Sequence, residues 1–164
     1  MLESQRERVP LNDGGELDTA LAFLSFARSC VLKKVDGLAD EQLRRGLVVS
    51  GTTLLGLVQH LTVAERYWFV YILAGDPRYA DADFDMTVAP DRPADQVIAA
   101  YRTAIADSDA HIRAADGLDV RTAHPVPDEP RTLRWVLAHM TSETVRHAGH
   151  ADILRELIDG VTGR

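Results

Sequence analysis

Apolar positions recur at three- and four-residue spacing through most of the chain, which is the period of an amphipathic helix. This pattern predicts four long helices: from Glu16 to about Val35, from the Ser50/Thr52/Thr53 cap to Ala74, from Asp91-Arg92-Pro93 to near Gly117, and from Thr132 to Gly160. A short helix is expected around residues 40–45. Strand-like alternation is nowhere sustained, so the predicted fold class is all-α.

The spacing of the helix-stop residues predicts how the helices are connected. Gly75-Asp76-Pro77 ends the second long helix, and the third begins only near residue 91. Antiparallel neighbours in a bundle usually need only a short turn, so this long connection indicates a crossover. We therefore predict a four-helix bundle with a crossover between the second and third long helices, in a single domain that spans residues 1–164.

The charge pattern excludes two classes of partner. Acidic residues outnumber basic ones by 25 to 18, the formal net charge is −7, and both signs alternate along the chain. Neither nucleic acid nor an anionic membrane surface is an expected partner of such a surface. The longest uncharged apolar stretch, residues 67–75, is far too short to span a bilayer. Charged residues stand at the amino terminus where a secretory signal needs an apolar run, so we expect a cytoplasmic protein.

Four polar residues share the apolar face of the last long helix. At about 100° per residue, one arc contains His139, Glu143, His147, His150 and the apolar residues Val136, Met140, Leu154 and Leu157. A buried carboxylate is costly unless something neutralises it. A cation that is held jointly by the carboxylate and by imidazole nitrogens meets this requirement, so the arc is a candidate metal site.

The second long helix also turns a histidine inward. His60 projects with the small residues Gly56 and Ala64, which would leave space around the imidazole for a metal and a ligand. Glu143 and His147 are four residues apart and meet on one face, so His60 from a facing helix completes a set of three. Three protein ligands leave an open position, as in catalytic sites. A metal-free hydrogen-bond network is the alternative, whereas a di-iron site would need four core carboxylates.

Several stretches resemble the DinB/YfiT-like metalloprotein superfamily. They are residues 36–45, 56–69, 132–140 and 143–156. The resemblance implies a four-helix bundle, often dimeric, with a divalent metal such as zinc or nickel held by His60, Glu143 and His147. Of the two ligand positions on the last long helix, the first is occupied by a glutamate, Glu143. In this respect the chain resembles the mycothiol-dependent maleylpyruvate isomerase branch of the superfamily.

The resemblance further implies a metal-assisted reaction of a low-molecular-weight thiol such as mycothiol or bacillithiol with a small-molecule electrophile. All basic residues except Lys33 and Lys34 are arginine, a bias typical of GC-rich genomes, which favours mycothiol. We assign His150 as the catalytic proton carrier, while ligation of the metal by His150 or His139 stays open. The alternative function is a non-catalytic, metal-stabilised dimeric binding module.

An apolar run near the end of the second long helix predicts a homodimer. Tyr67 projects with His60, so Phe69, Ile72 and Leu73 project roughly 120° to 180° away from the bundle interior. An exposed apolar patch of this kind marks an interface, and twofold pairing is the commonest closed arrangement. The alternative is that the amino-terminal segment or the long connection covers the patch.

Overall fold

The computed structural model describes residues 8–163 as a helical protein. Its elements are α1 (Glu16–Val35), α2 (Asp40–Leu43), α3 (Leu54–Glu65), a π-helical continuation of α3 (Arg66–Leu73), a 3-10 turn (Pro77–Tyr79), α4 (Ala94–Ala114) and α5 (Leu133–Asp159). The all-α prediction is confirmed. None of the helices in the described residues is long and apolar enough to cross a membrane. The charged segment 1–7, on which the expectation of no secretory signal depends, lies outside them.

Capping residues define the predicted helix boundaries. The Thr53 hydroxyl accepts a hydrogen bond from the Gly56 N–H at 2.9 Å at the start of α3, and the Thr132 hydroxyl accepts one from the Trp135 N–H at 3.2 Å at the start of α5. Each side chain satisfies a donor that the first helical turn would leave unpaired. Gly160 ends α5 with a φ of 75°, a left-handed conformation that glycine adopts without steric cost.

Helices α1 and α5 pack side by side and run in the same direction. Arg134 in the first turn of α5 pairs with Glu16 in the first turn of α1, with Nε and Oε1 2.5 Å apart. Near the other end, Arg155 of α5 donates to the backbone oxygens of Lys34 and Asp36 at 3.0 and 2.8 Å. These contacts fix the first and last helices as a parallel pair.

The long connection runs back along α3, as the predicted crossover requires. Met86 in the middle of the connection lies against Gly56 in the first turn of α3. Helix α4 therefore begins beside the start of α3, and its Ser108 donates to the backbone oxygen of Glu65 at the end of α3, at 3.3 Å. Helices α3 and α4 are thus a second parallel pair, and the four-helix bundle with a crossover is confirmed.

A buried ion network lies between two apolar halves of the core. The Arg28 guanidinium donates to both Glu65 carboxylate oxygens at 2.7 and 2.6 Å, and to Asp109 at 2.8 Å. The side chains of Arg28 and Glu65 are 2% and 0% exposed. Because two parallel hydrogen bonds between a guanidinium and a carboxylate tolerate little displacement, this network fixes α1, α3 and α4 relative to one another.

The apolar patch from which the dimer interface was predicted is buried. The predicted position of that interface is therefore wrong. Phe69, Ile72 and Leu73 are only 0%, 2% and 8% exposed in the single chain. They lie in the π-helical segment, whose wider turns depart from the 3.6-residue period of the projection. The loop before α5 also covers the segment, since the N–H groups of Ala123 and His124 donate to its Leu73 and Ile72 carbonyls at 3.2 and 3.1 Å. The homodimer stays a prediction without this interface.

Candidate metal centre

Side chains from α3 and α5 converge in a half-buried cluster of His60, Glu143 and His147. One ligand atom from each residue lies within 4.8 Å of the other two. The Nε2 atoms of His60 and His147 are 3.2 and 2.9 Å from the same carboxylate oxygen, Oε1 of Glu143. Ligands at the usual zinc distances in tetrahedral geometry lie roughly 3.3 Å from one another. The two measured spacings of the His–Glu–His cluster are compatible with a metal ligand set.

The hydrogen bond on the far side of the His60 ring indicates what the cluster can bind. Its Nδ1 is 2.9 Å from the backbone oxygen of Phe84, which can only accept a hydrogen bond, so Nδ1 carries the proton. In the neutral ring, Nε2 then presents a lone pair to the Glu143 carboxylate. Two acceptors at this distance repel each other unless a proton or a cation lies between them. Two imidazoles and one carboxylate are donors that fit zinc or a similar divalent ion.

Further contacts orient the other two side chains of the cluster. Arg146 pairs with Oε2 of Glu143, which leaves Oε1 directed at the two histidines. Nδ1 of His147 is 3.4 Å from Nδ1 of His150, so the outer side of this imidazole also has a partner. Outer contacts of this kind hold metal ligands in position. Arg146 was not predicted as part of the site, although its position three residues after Glu143 on a helix was a usable signal.

The electrostatic surroundings favour the ligating protonation states of Glu143 and His147. Burial alone would raise the pKa of Glu143, but its contacts with the His60 and His147 rings and the charge of Arg146 outweigh burial and hold that pKa below its ordinary value. Burial lowers the pKa of His147, against the opposing influence of Glu143. At neutral pH Glu143 is therefore ionised and His147 is neutral, as metal binding requires.

The two remaining histidines of the predicted arc lie outside the cluster. His139 is half-buried against two indole rings, with its centroid 4.4 Å from Trp68 and 5.2 Å from the nearly parallel ring of Trp135. Burial lowers the pKa of His139. His150 is exposed, and its ring centroid is 5.4 Å from that of His147. His139 is thus part of an aromatic stack, and His150 borders the cluster from the solvent side.

Gly56 has a different role from the one expected. It was predicted to leave space for a metal and its ligand, but the backbone of the long connection fills that space. A Cβ at this position would be only 2.3 Å from the Met86 carbonyl oxygen. This close approach lets the connection bring the Phe84 carbonyl to His60, so Gly56 contributes to the orientation of the imidazole.

Replacing Gly56 with alanine is expected to weaken metal binding, since the Met86 backbone must move and the Phe84 contact moves with it. We expect a loss of about 10- to 100-fold in affinity, the usual effect of removing an outer contact of a metal ligand. Competition with a chelator measures the affinity. Gly149→Ala is the matched control, because a Cβ at that helical glycine meets nothing within 4 Å. Equal affinities of the two folded variants would contradict the role of Gly56.

Two cavities of different character lie beside the cluster. The larger, of about 610 Å³, has a mixed lining: charged and hydroxyl side chains such as Arg44, Asp85 and Thr87 stand beside apolar ones such as Leu55 and Val88. The smaller, of about 300 Å³, is lined mainly by apolar side chains, and both His147 and His150 border it. Met86 contributes to the walls of both. A molecule in the smaller cavity would therefore lie directly against the His–Glu–His cluster.

A bundle of two parallel helix pairs, with a His–Glu–His cluster shared by α3 and α5, is the architecture that the DinB/YfiT-like resemblance implies. The family model of mycothiol-S-transferase matches residues 19–160, which include nearly all of the bundle, and the chain belongs to this family. The resemblance to the mycothiol-dependent branch is thereby confirmed. No curated protein matches the chain significantly. Membership of a transferase family implies a small-molecule substrate.

Proposed function

We propose that the protein is a metal-dependent S-transferase that joins a low-molecular-weight thiol, with mycothiol favoured, to a small electrophile. The observation that carries this proposal is the three-donor cluster of His60, Glu143 and His147 beside a cavity of substrate size. These residues would hold one zinc or nickel ion and leave a coordination position open. The bound ion would supply Lewis acidity that favours the thiolate, the nucleophilic form of a thiol.

The reaction forms a sulfur–carbon bond while the bond from that carbon to its leaving group breaks. The leaving group departs with the bonding electron pair, and the thiol proton must reach a base. His150 lines the smaller cavity and is exposed to solvent. Its imidazole would take this proton and release it to water.

Replacing His150 with alanine is expected to preserve stoichiometric metal and to lower turnover by about 10²- to 10⁴-fold, the usual contribution of general acid–base catalysis. Elemental analysis and steady-state kinetics measure the two quantities on the same preparation. His111→Ala, on α4, is the matched control and should change neither. Loss of metal from His150→Ala would make His150 a ligand, and unchanged turnover would remove it from the mechanism.

The same proposal includes two properties of the whole protein. We infer a cytoplasmic location, because a reaction that consumes a reduced thiol requires a compartment that keeps thiols reduced. We also retain a homodimer, as the family resemblance implies. Its interface must be formed by a surface other than the buried Phe69, Ile72 and Leu73.

The proposed reaction can be tested directly on the metal-loaded protein. Zinc- or nickel-loaded protein is incubated with an alkyl halide and with mycothiol, bacillithiol or glutathione in parallel, and loss of free thiol is followed over time. Consumption above that of metal-free protein, with mycothiol as the best thiol, supports the S-transferase. A filled coordination shell and no turnover with any thiol would instead support the non-catalytic, metal-stabilised binding module.

A further inference from the structure

We propose that the smaller cavity binds the electrophile and that its walls select uncharged, apolar electrophiles over anionic ones. This inference rests on the proposed S-transferase function and specifies its second substrate. It is carried by the position of the cavity against His147, by its lining and by its volume.

The lining of the smaller cavity provides apolar surface and no permanent charge. Its apolar residues are Val48, Leu57, Met86, Ile153 and Leu154. Among the described residues, the polar side chains of the lining are the Ser50 and Thr52 hydroxyls and the rings of His147 and His150. An anionic group placed here would lose its hydration without gaining a cationic partner, which is strongly unfavourable.

Two cationic groups near the cluster and the larger cavity already have acidic partners. The Arg146 guanidinium pairs with Glu143, and Arg44, in the wall of the larger cavity, pairs with Asp40. A divalent ion held by the cluster would be balanced by the Glu143 carboxylate together with the thiolate that the reaction requires. The charge that remains is that of Arg146, whose side chain is 63% exposed and therefore hydrated.

The larger cavity would hold the thiol. Mycothiol is a polyhydroxylated molecule, and hydroxyl-rich ligands can pair with the hydroxyl, guanidinium and carboxylate groups that line part of the larger cavity and that the smaller cavity largely lacks. The apolar cavity is left for the partner that receives the sulfur. Its volume of about 300 Å³ is twice the roughly 150 Å³ of an apolar cavity that binds benzene, so a molecule of one or two rings fits.

Unreactive ligands test the cavity without any requirement for turnover. The probes are 2-acetonaphthone, which is neutral, and 2-naphthoate, which has nearly the same shape and carries one negative charge. Calorimetric titration of the zinc-loaded protein saturated with mycothiol, so that the thiolate occupies the metal, measures both dissociation constants. We expect the neutral probe to bind at least about tenfold more tightly, and equal or inverted affinities would overturn the proposal.

A second test of the proposal adds a positive charge to the wall of the smaller cavity. Ile153 lines the cavity and is 56% exposed, so Ile153→Arg puts a cation at the rim with little cost to the fold. This variant should shift the affinity ratio about tenfold toward 2-naphthoate. Leu157→Arg is the matched control, because Leu157 is 53% exposed on the same helix and does not line the cavity. Equal shifts in the two variants would place the probe elsewhere.

Competition kinetics separate this proposal from the function on which it rests. With benzyl bromide as the electrophile, 2-acetonaphthone should inhibit competitively with respect to benzyl bromide. Turnover that 2-acetonaphthone does not inhibit would overturn the cavity assignment and leave the S-transferase intact. Selective probe binding with no turnover for any thiol would overturn the S-transferase, and with it the identification of the cavity's ligand as an electrophile.

Discussion

Replacing His60 with alanine is expected to abolish stoichiometric binding of a divalent metal. His60 is the only member of the cluster that comes from α3, and Glu143 and His147 both come from α5. Its removal leaves two donors on one helix, and it also ends the convergence of two imidazoles on one carboxylate oxygen. Elemental analysis after desalting measures the metal content per chain, which should fall from about one ion to a trace.

The matched control for this experiment is His111→Ala, a histidine of α4 outside the cluster, which should keep its metal. Circular dichroism on both variants separates loss of a ligand from loss of the fold. A folded His60→Ala protein that retains one ion per chain would show that the metal is bound elsewhere. Loss of metal from both variants would show that binding depends on the bundle as a whole and not on His60.

The sequence predicts the bundle well because the signals that define it are local. Caps at Thr53 and Thr132, the glycine at 160 and a steady 3.6-residue period each depend on residues a few positions apart. The π-helical segment could not be predicted in this way. Residues 67–73 are all apolar, so no polar position marks which side of the helix faces solvent. A change of helical period therefore leaves no trace in the pattern of polar and apolar residues.

The candidate site was predictable only for side chains that follow helical spacing. Glu143 and His147 lie one turn apart, and their association with His60 follows from facing helices. The Phe84 carbonyl has no such signal, because its position depends on the path of the long connection over α3. Its approach also explains the error at Gly56, since a small residue shows that something comes close but not whether it is a metal or a backbone.

The projection of α5 kept the right helical period but centred the buried face too far to one side. His139 lies one turn before Glu143, but it stacks on Trp68, which the π-helical segment presents. Leu157 was placed on the buried arc and is 53% exposed, and His150, from the same arc, is also exposed. At about 100° per residue these three side chains of the arc project in nearly the same direction, at one edge of the face that the helix buries. The error is therefore one of direction that stays constant along the helix.

The largest expected effect on stability comes from the buried ion network that joins α1, α3 and α4. Within residues 8–163, Glu65→Leu leaves the buried Arg28 guanidinium with the partly exposed Asp109 as its remaining acidic partner. Removing one member of a buried ion pair typically costs about 3–5 kcal/mol, because the remaining charge has lost its hydration and its counter-ion. Urea denaturation should show that decrease in the free energy of unfolding.

The control for this prediction is the double variant Arg28→Met with Glu65→Leu, which removes both charges and keeps the volume apolar. Buried pairs replaced by apolar side chains of similar size are often as stable as the original, so the double variant should recover most of the loss. Arg28→Met alone should be nearly as unstable as Glu65→Leu, because it leaves the carboxylate uncompensated. If the two single losses simply add in the double variant, the pair is not coupled, and some other contact of these side chains holds the three helices together.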